Sequence, residues 1–237
     1  MRAPCVLGLA AAFFLSACAG ADKGSPPDPV AALRLLGAWD TKAQFDAAPD
    51  ALKITPRAGE ATPWLDRQHA TFVVVNAPRL TEAGETAIFL RWRSGGPDGP
   101  ISRERIWVFE PGPDGGFTRM DFHTLKRPAP AEALAAPLSA FRDLEPDDVI
   151  AYPEACKLPV TATTAGWRAA IPEDCAIVAR SGRPMRLSAR IELSGGALTY
   201  EEAGVLESGA VAFKVPGGPA YRFERVADAP RAKEAAP

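Results

Sequence analysis

From Ala70 to Val226 the chain keeps returning to one pattern. Short runs rich in Val, Ile, Leu, Phe and Trp, many alternating with polar residues, are closed off by Gly, Pro, Asn or Asp. Apolar side chains two residues apart line one face of an extended chain, whereas a helix would need them three and four apart. On that ground "ATFVVVN", "TAIFLRWR", "ISRERIWVF" and "GFTRMDFHTL" predict strands, and so do "GWRAAI", "CAIVAR", "MRLSARIEL", "ALTYEEAGV", "GAVAFKV" and "AYRFERV". The links joining "TAIFLRWR", "ISRERIWVF" and "GFTRMDFHTL" suit hairpins. Two stretches depart from the pattern. "VAALRLLGAW" places Val30, Leu33 and Leu36 on one stripe and predicts a short helix running into a strand. "PAEALAAPLSAFRDL" predicts a helical segment interrupted at Pro137. About ten strands with no internal repeat predict an all-β, mainly antiparallel fold: one closed or nearly closed barrel over residues 30–226, with short N-terminal and mid-chain helices.

Composition agrees with this and narrows the function. The 24 prolines and 20 glycines of the 237-residue chain favour short strands and turns over long helices. The 27 Lys and Arg against 29 Asp and Glu leave a net charge of −2 without long like-charge runs, so no basic face for nucleic acid is expected.

The N-terminus predicts the compartment. In "MRAPCVLGLAAAFFLSACAG" a single Arg precedes an apolar run from Val6 to Leu15, too short for a permanent membrane span. Its ending, Leu15-Ser16-Ala17-Cys18, resembles the lipobox of bacterial lipoproteins. The resemblance implies a signal peptide over 1–17, cleavage before Cys18 and acylation of that cysteine. Ala19 follows rather than Asp, which implies a place in the envelope facing the periplasm, on the outer membrane where a host has two membranes. Residues 18–29 read as a flexible tether and 227–237 as a disordered tail. Of the four cysteines, Cys5 leaves with the signal and Cys18 carries lipid. Cys156 and Cys175 then share an oxidising space, where a disulfide is the default. A metal clip would need further ligands at short spacing, and His69 and His123 lie far off in sequence, so no metal site is predicted.

Catalytic signatures are missing from the chain: no G-x-S-x-G, no S-x-x-K, no H-E-x-x-H, no phosphate loop and no G-x-G-x-x-G. The acidic pairs Asp147-Asp148, Glu173-Asp174 and Glu201-Glu202 are expected in solvated turns, because adjacent residues point different ways. One constellation stands out. Arg91, Arg93, Arg103 and Arg105 share parity, so each pair faces one side of its strand. If Ser94–Pro100 closes a symmetric hairpin, Arg91 lies opposite Arg103, with Arg93 and Arg105 beside them. The next turn, "EPGPDGG", then brings Asp121 to Arg105 and His123 to Arg103. Like charges facing one another across a hairpin are destabilising unless something neutralises them. Two readings follow: a solvated exterior partly paired with Asp121 and Glu85, or an anion-binding wall with Trp107 as its apolar platform.

The landmarks, taken in order, resemble the CpcT/CpeT chromophore lyase family. They are "LRLLGAWDTKAQF" with Trp39 and Gln44, "TPWLDRQ", "ISRERIWVF" in the place of a Pro-Tyr-Arg-x-Arg strand, "CKL…GWRAAIPEDC", and the closing "GGPAYRFERV". The resemblance implies a lipocalin-like calyx barrel, often dimeric, that holds a linear tetrapyrrole (bilin) and helps couple it to a phycobiliprotein cysteine. It turns Arg103 and Arg105 into the calyx to hold bilin propionates, with Arg91, Arg93, Trp107, Asp121 and His123 around them. Ser102 stands where the family has tyrosine, and the proline before it is displaced to Pro100. Export also separates the chain from acceptors assembled in the cytosol. The expected function is therefore a lipid-anchored barrel binding an anionic amphipathic small molecule, bilin being the candidate ligand and no other cofactor being required. A chromophore lyase with unidentified catalytic residues is the enzymatic alternative, and an envelope interaction module the non-enzymatic one. An open calyx would favour binding, a filled interior the module.

Overall fold

The computed structural model describes residues 33–55, 62–113, 116–178 and 182–226. The expected signal, Cys18, the tether and the tail lie outside them. The strands are β1 (Gly37–Asp40), β2 (Gln68–Val75), β3 (Thr86–Ser94), β4 (Ile101–Pro111), β5 (Phe117–Leu125), β6 (Val149–Ala151), β7 (Leu158–Thr163), β8 (Gly166–Ala170), β9 (Ala176–Val178), β10 (Pro184–Ser194), β11 (Ala197–Leu206), β12 (Val211–Val215) and β13 (Tyr221–Arg225). Ten of them run side by side in the order β11-β13-β1-β2-β3-β4-β5-β7-β8-β10, and the long β10–β11 hairpin closes the circuit. Every pairing is antiparallel, including that of β1 with β13, near opposite ends of the chain. β6, β9 and β12 stand off the circuit, each pairing with one flank of β5, β10 or β11.

Alternation explains the wall. In β10, Met185, Leu187, Ala189, Ile191 and Leu193 are buried, and the residues between them are exposed or partly so. β3 breaks the alternation because it is buried on both faces. Ile88, Leu90 and Trp92 point into the barrel, whereas Ala87 and Phe89 join an outer cluster with Ile106, Val108, Ala133 and Phe141. The mid-chain segment supplies that cover: the Phe89 and Phe141 rings lie 4.8 Å apart. Only one helical turn forms there, α2 (Pro137–Ala140), with Pro137 at its start. Proline disfavours helical backbone in the residue before it and suits a first turn, so "PAEALAA" is broken into turns instead of a helix. At the N-terminal side, Leu33–Leu35 forms a 3-10 turn before β1, and α1 (Lys42–Ala47) is a helix that periodicity did not predict.

The barrel axis is filled. Trp39, Phe72, Trp92, Trp107, Phe122, Tyr200 and Phe223 are each 0–1% exposed. Trp107 stacks between Phe122, at 5.5 Å, and Tyr200, at 6.5 Å. Trp92 meets Tyr200 at 4.8 Å and Phe223 at 5.1 Å. Of the two interiors left open by the sequence, an open calyx and a filled one, this stretch has the filled one, a packed aromatic core.

The motif landmarks converge in space. Gln44 on α1 donates to the carbonyl of Ala220 and accepts from the amide of Arg222, both at 2.8 Å, fastening α1 to β13. The indole of Trp64 lies on Gly217, where a Cβ would come within 2.2 Å of Nε1, so that position requires glycine. The Tyr221 hydroxyl donates to Asp66. Cys156 and Cys175 form a disulfide with a Cα separation of 4.7 Å, tying the turn before β7 to the loop before β9. In the chain-entropy model such a loop closure stabilises the fold by about 3 kcal/mol.

Candidate functional site: a buried arginine pair at the barrel mouth

Two β-bulges decide where the arginines point. Near its turn the β3–β4 hairpin is symmetric, with Ser94 donating to Pro100 and Arg93 opposite Ile101. Ser102 is then an extra residue on β4, and beyond it Trp92 faces Arg103, Arg91 faces Glu104 and Leu90 faces Arg105. One added residue exchanges inside for outside on one strand relative to its neighbour. Arg103, Arg105 and Trp107 therefore share the inner face of β4, whereas Arg91 and Arg93 lie on the outer face of β3. The expected juxtaposition of Arg91 with Arg103 does not form. A second irregularity, near Pro111 and Phe117, sets the β4–β5 register so that Asp121 faces Val108 and His123 faces Ile106. Both lie on the outer wall, away from Arg103 and Arg105, and it is Thr124 that faces Arg105 from β5.

The outer residues have structural partners. Arg91 Nε donates to Glu104 Oε1 at 2.7 Å, and Glu104 Oε2 accepts from the amide of Ala129 at 2.9 Å. Arg93 Nη1 donates to the carbonyl of Gly99 at 2.7 Å and so braces the hairpin loop. His123 Nε2 lies 3.5 Å from Asp121 Oδ2. Burial holds the His123 pKa below its usual range, with Asp121 opposing, and burial raises that of Asp121, with His123 opposing. His69 is held by Asp40, Nδ1 to Oδ2 at 3.1 Å, and Arg67 grips the same carboxylate at 2.9 and 2.8 Å. Among the described residues no group of three His, Cys, Asp or Glu side chains is arranged to hold a metal ion.

The inner cluster is built differently. Arg105 Nη2 donates to Glu202 Oε1 at 3.0 Å, and Arg103 Nη1 donates to Glu202 Oε2 at 2.7 Å. Both guanidiniums also donate to the Tyr200 hydroxyl, which itself donates to Glu202 Oε2 at 2.7 Å. The Arg103 guanidinium lies 5.0 Å from the Trp92 ring centre and 5.4 Å from that of Tyr200, and Arg105 lies 5.2 Å from Phe122. These faces are favourable for a cation. Burial by itself would raise the Glu202 pKa, but Arg105 and Arg103 outweigh it and hold it at about 2. Burial opposes the charge on Arg105, and Glu202 and Tyr200 more than offset it, so its pKa is raised. Glu202 is therefore a carboxylate throughout the ordinary pH range, and two guanidiniums share it. Asp66 is engaged by Tyr221 and Gln68 and makes no ion pair with either arginine.

Glu202 and Tyr200 were not expected at the site. Leu198, Tyr200, Glu202 and Gly204 share the inward parity of β11, and an acid on that stripe was the available signal. Ser102, in the family's tyrosine position, donates to Gln68 Oε1 at 2.9 Å, and Gln68 Nε2 donates to Ser94 Oγ at 2.9 Å, so a polar plate edges the cluster. Four inward donors lack partners among the described residues: Trp92 Nε1, Trp107 Nε1, Arg105 Nε and Thr124 Oγ1. Arg103, Arg105 and Thr124 line a cleft of about 370 Å³ at the mouth, with Ser102, Lys126 and Arg127 on its polar side.

Fold and site together define a closed antiparallel barrel with an aromatic core and a partly compensated arginine pair at one mouth. No family model and no curated protein matches the chain, so the CpcT/CpeT resemblance rests on its short motifs. Among solved structures, the CRL protein of Arabidopsis, in selenomethionine form, is similar with a TM-score of 0.56. It is 11% identical, and the match covers 83% of this chain and 96% of that one. At that identity the likeness is one of fold.

Proposed function

We propose that this protein is a lipid-anchored envelope barrel that binds an anionic amphipathic small molecule at the Arg103–Arg105 mouth. The observation that carries the reading is two inward guanidiniums sharing one buried carboxylate beside a cleft, with Arg105 Nε left without a partner. A buried donor without an acceptor is costly, and a ligand carboxylate would supply one. The CpcT/CpeT resemblance makes a linear tetrapyrrole with propionate arms the first ligand to try. The anchor is supported by Leu15-Ser16-Ala17-Cys18, and Cys18→Ala should release the protein from membranes. Replacing both Arg103 and Arg105 by Gln should weaken biliverdin binding by roughly tenfold or more in an absorbance titration, given the strength of charged hydrogen bonds. Unchanged binding in a variant whose circular dichroism matches the parent would reject the reading.

A second reading is favoured by the filled axis: an envelope interaction module without a small ligand. Mass and absorption spectra of an extract from the native protein separate the two. A recovered anionic amphiphile supports binding, and a clean extract together with no biliverdin binding supports the module. Lyase activity would be a further step and would need an acceptor cysteine on the same side of the membrane.

A further inference from the structure

We infer that the ligand binds head first: a single carboxylate enters the cleft between Arg103, Arg105 and Thr124, and its apolar body stays outside against Ile101, Leu125 and Pro128. This rests on the proposed anion-binding mouth and adds to it the ligand's orientation, with one carboxylate of an amphiphile engaged at a time. An open cup would accept an apolar body in its interior. Here the space behind the arginines is taken by Trp92, Trp107 and Tyr200, each 0–1% exposed and in ring contact with other aromatics. An inserted body would have to displace a close-packed core, which has little free volume to give.

Charge sets the head. Two guanidiniums against one carboxylate leave one positive charge, which one anionic group balances. Of the unpartnered inward donors, two belong to residues that line the cleft: Arg105 Nε, on a residue 7% exposed, and Thr124 Oγ1. The rest of the cleft lining sorts by polarity. Arg103, Arg105 and Thr124 are joined by Glu104, whose carboxylate is already taken by Arg91 and the amide of Ala129, and the apolar lining is Ile101, Leu125 and Pro128, with Ile101 46% exposed and Leu125 packed against the outer cluster. Lys126 and Arg127, both exposed, line the same cleft and would steer an anion toward Arg103 and Arg105.

The test is a calorimetric titration of the full chain carrying Cys18→Ala, which avoids detergent, with acetate, decanoate and decanol as probes. Decanoate should bind roughly tenfold or more tightly than acetate, because part of its chain leaves water at the rim. Decanol, with the same body and no charge, should bind roughly tenfold or more weakly than decanoate. Ile101→Glu should weaken decanoate roughly fivefold or more and move acetate by less than about twofold, since only decanoate reaches the rim. Arg105→Gln should weaken both acids. If it unfolds the barrel, the near-isosteric Thr124→Val takes its place, with an expected loss of roughly threefold or more for both. Decanol binding as tightly as decanoate, or decanoate insensitive to Ile101→Glu, overturns the head-first orientation. If biliverdin still binds in an arginine-dependent way, that failure leaves the mouth site standing. Loss of arginine dependence for biliverdin and decanoate alike overturns both.

Discussion

On the outer wall of the β3–β4 hairpin, Arg91 meets Glu104 at 2.7 Å, and Glu104 also takes the amide of Ala129. On the inner wall, starting one residue earlier on β4, Arg103 and Arg105 share Glu202 and Tyr200. Both groups are largely buried, and both pair arginine with glutamate. They differ in stoichiometry. Outside, charge is balanced one to one and the carboxylate's second oxygen anchors the covering segment, so the pair is complete. Inside, two cations share one anion and a donor is left over. A balanced pair is mortar, and the unbalanced one is the proposed anion site. What allots the residues to one wall or the other is the extra residue Ser102.

Inserting one alanine after Ser102 should therefore have the largest effect. With the turn's register and the one-residue bulge kept, the insertion would point Trp107 and Phe109 outward, and the loop would have to be remade to prevent it. We expect the cooperative thermal transition to be lost, whereas Ser102→Ala, which keeps the residue count, should cost only about 1 kcal/mol for its hydrogen bond to Gln68. An insertion variant that melts like the parent would show that the bulge does not allot the walls.

Next in size, Glu202→Ala should destabilise by about 3–5 kcal/mol in urea, because it strands two buried guanidiniums. A loss near zero would mean that solvent already compensates the pair. The same carboxylate makes stability depend on acid. Its folded pKa is about 2 against an ordinary 4.5. A depressed carboxylate contributes above its unfolded pKa and loses the contribution as pH falls through the folded one. About 3 kcal/mol should therefore disappear between about pH 5 and pH 2, and the Glu202→Ala variant should lack that component. Smallest of all should be the outer double replacement, Arg91→Leu with Glu104→Leu. Removing both members of a balanced pair should change stability by about 1–2 kcal/mol at most. A larger loss would show that the outer pair, too, is more than mortar.

Most of the wall could be read from the chain, because a half-buried strand writes its burial as alternation. β10 and β11 are plain in "MRLSARIEL" and "ALTYEEAGV". β7 was missed because "LPVTAT" offers only Leu158 and Val160 as bulky inward positions and carries Pro159 among small residues. The helical reading of "PAEALAAPLSAFRDL" failed at Pro137, where the backbone restriction on the preceding residue outweighed good helix formers. The site was half readable. Parity placed Trp107 with Arg103 and Arg105, but a bulge leaves no mark in composition, so Arg91, Arg93, Asp121 and His123 were grouped with them. Glu202 was hidden by its neighbour Glu201. A pair of adjacent acids looks like a turn until the stripe Leu198-Tyr200-Glu202 shows one of them facing inward.

The seam between β1 and β13, where Trp39 pairs with Arg225, carries a consequence in time. The last strand is the neighbour of the first, and it fills the place between β1 and β11. A chain made from its N-terminus cannot close the ring until residues 221–225 have been delivered. Until then β1 and the Ala197–Tyr200 stretch of β11 lack the neighbour that β13 supplies, and such edges can pair with any extended chain nearby. Contacts this distant in sequence also form slowly. The barrel thus stays unclosed until its last strand exists, which accords with the export proposed above.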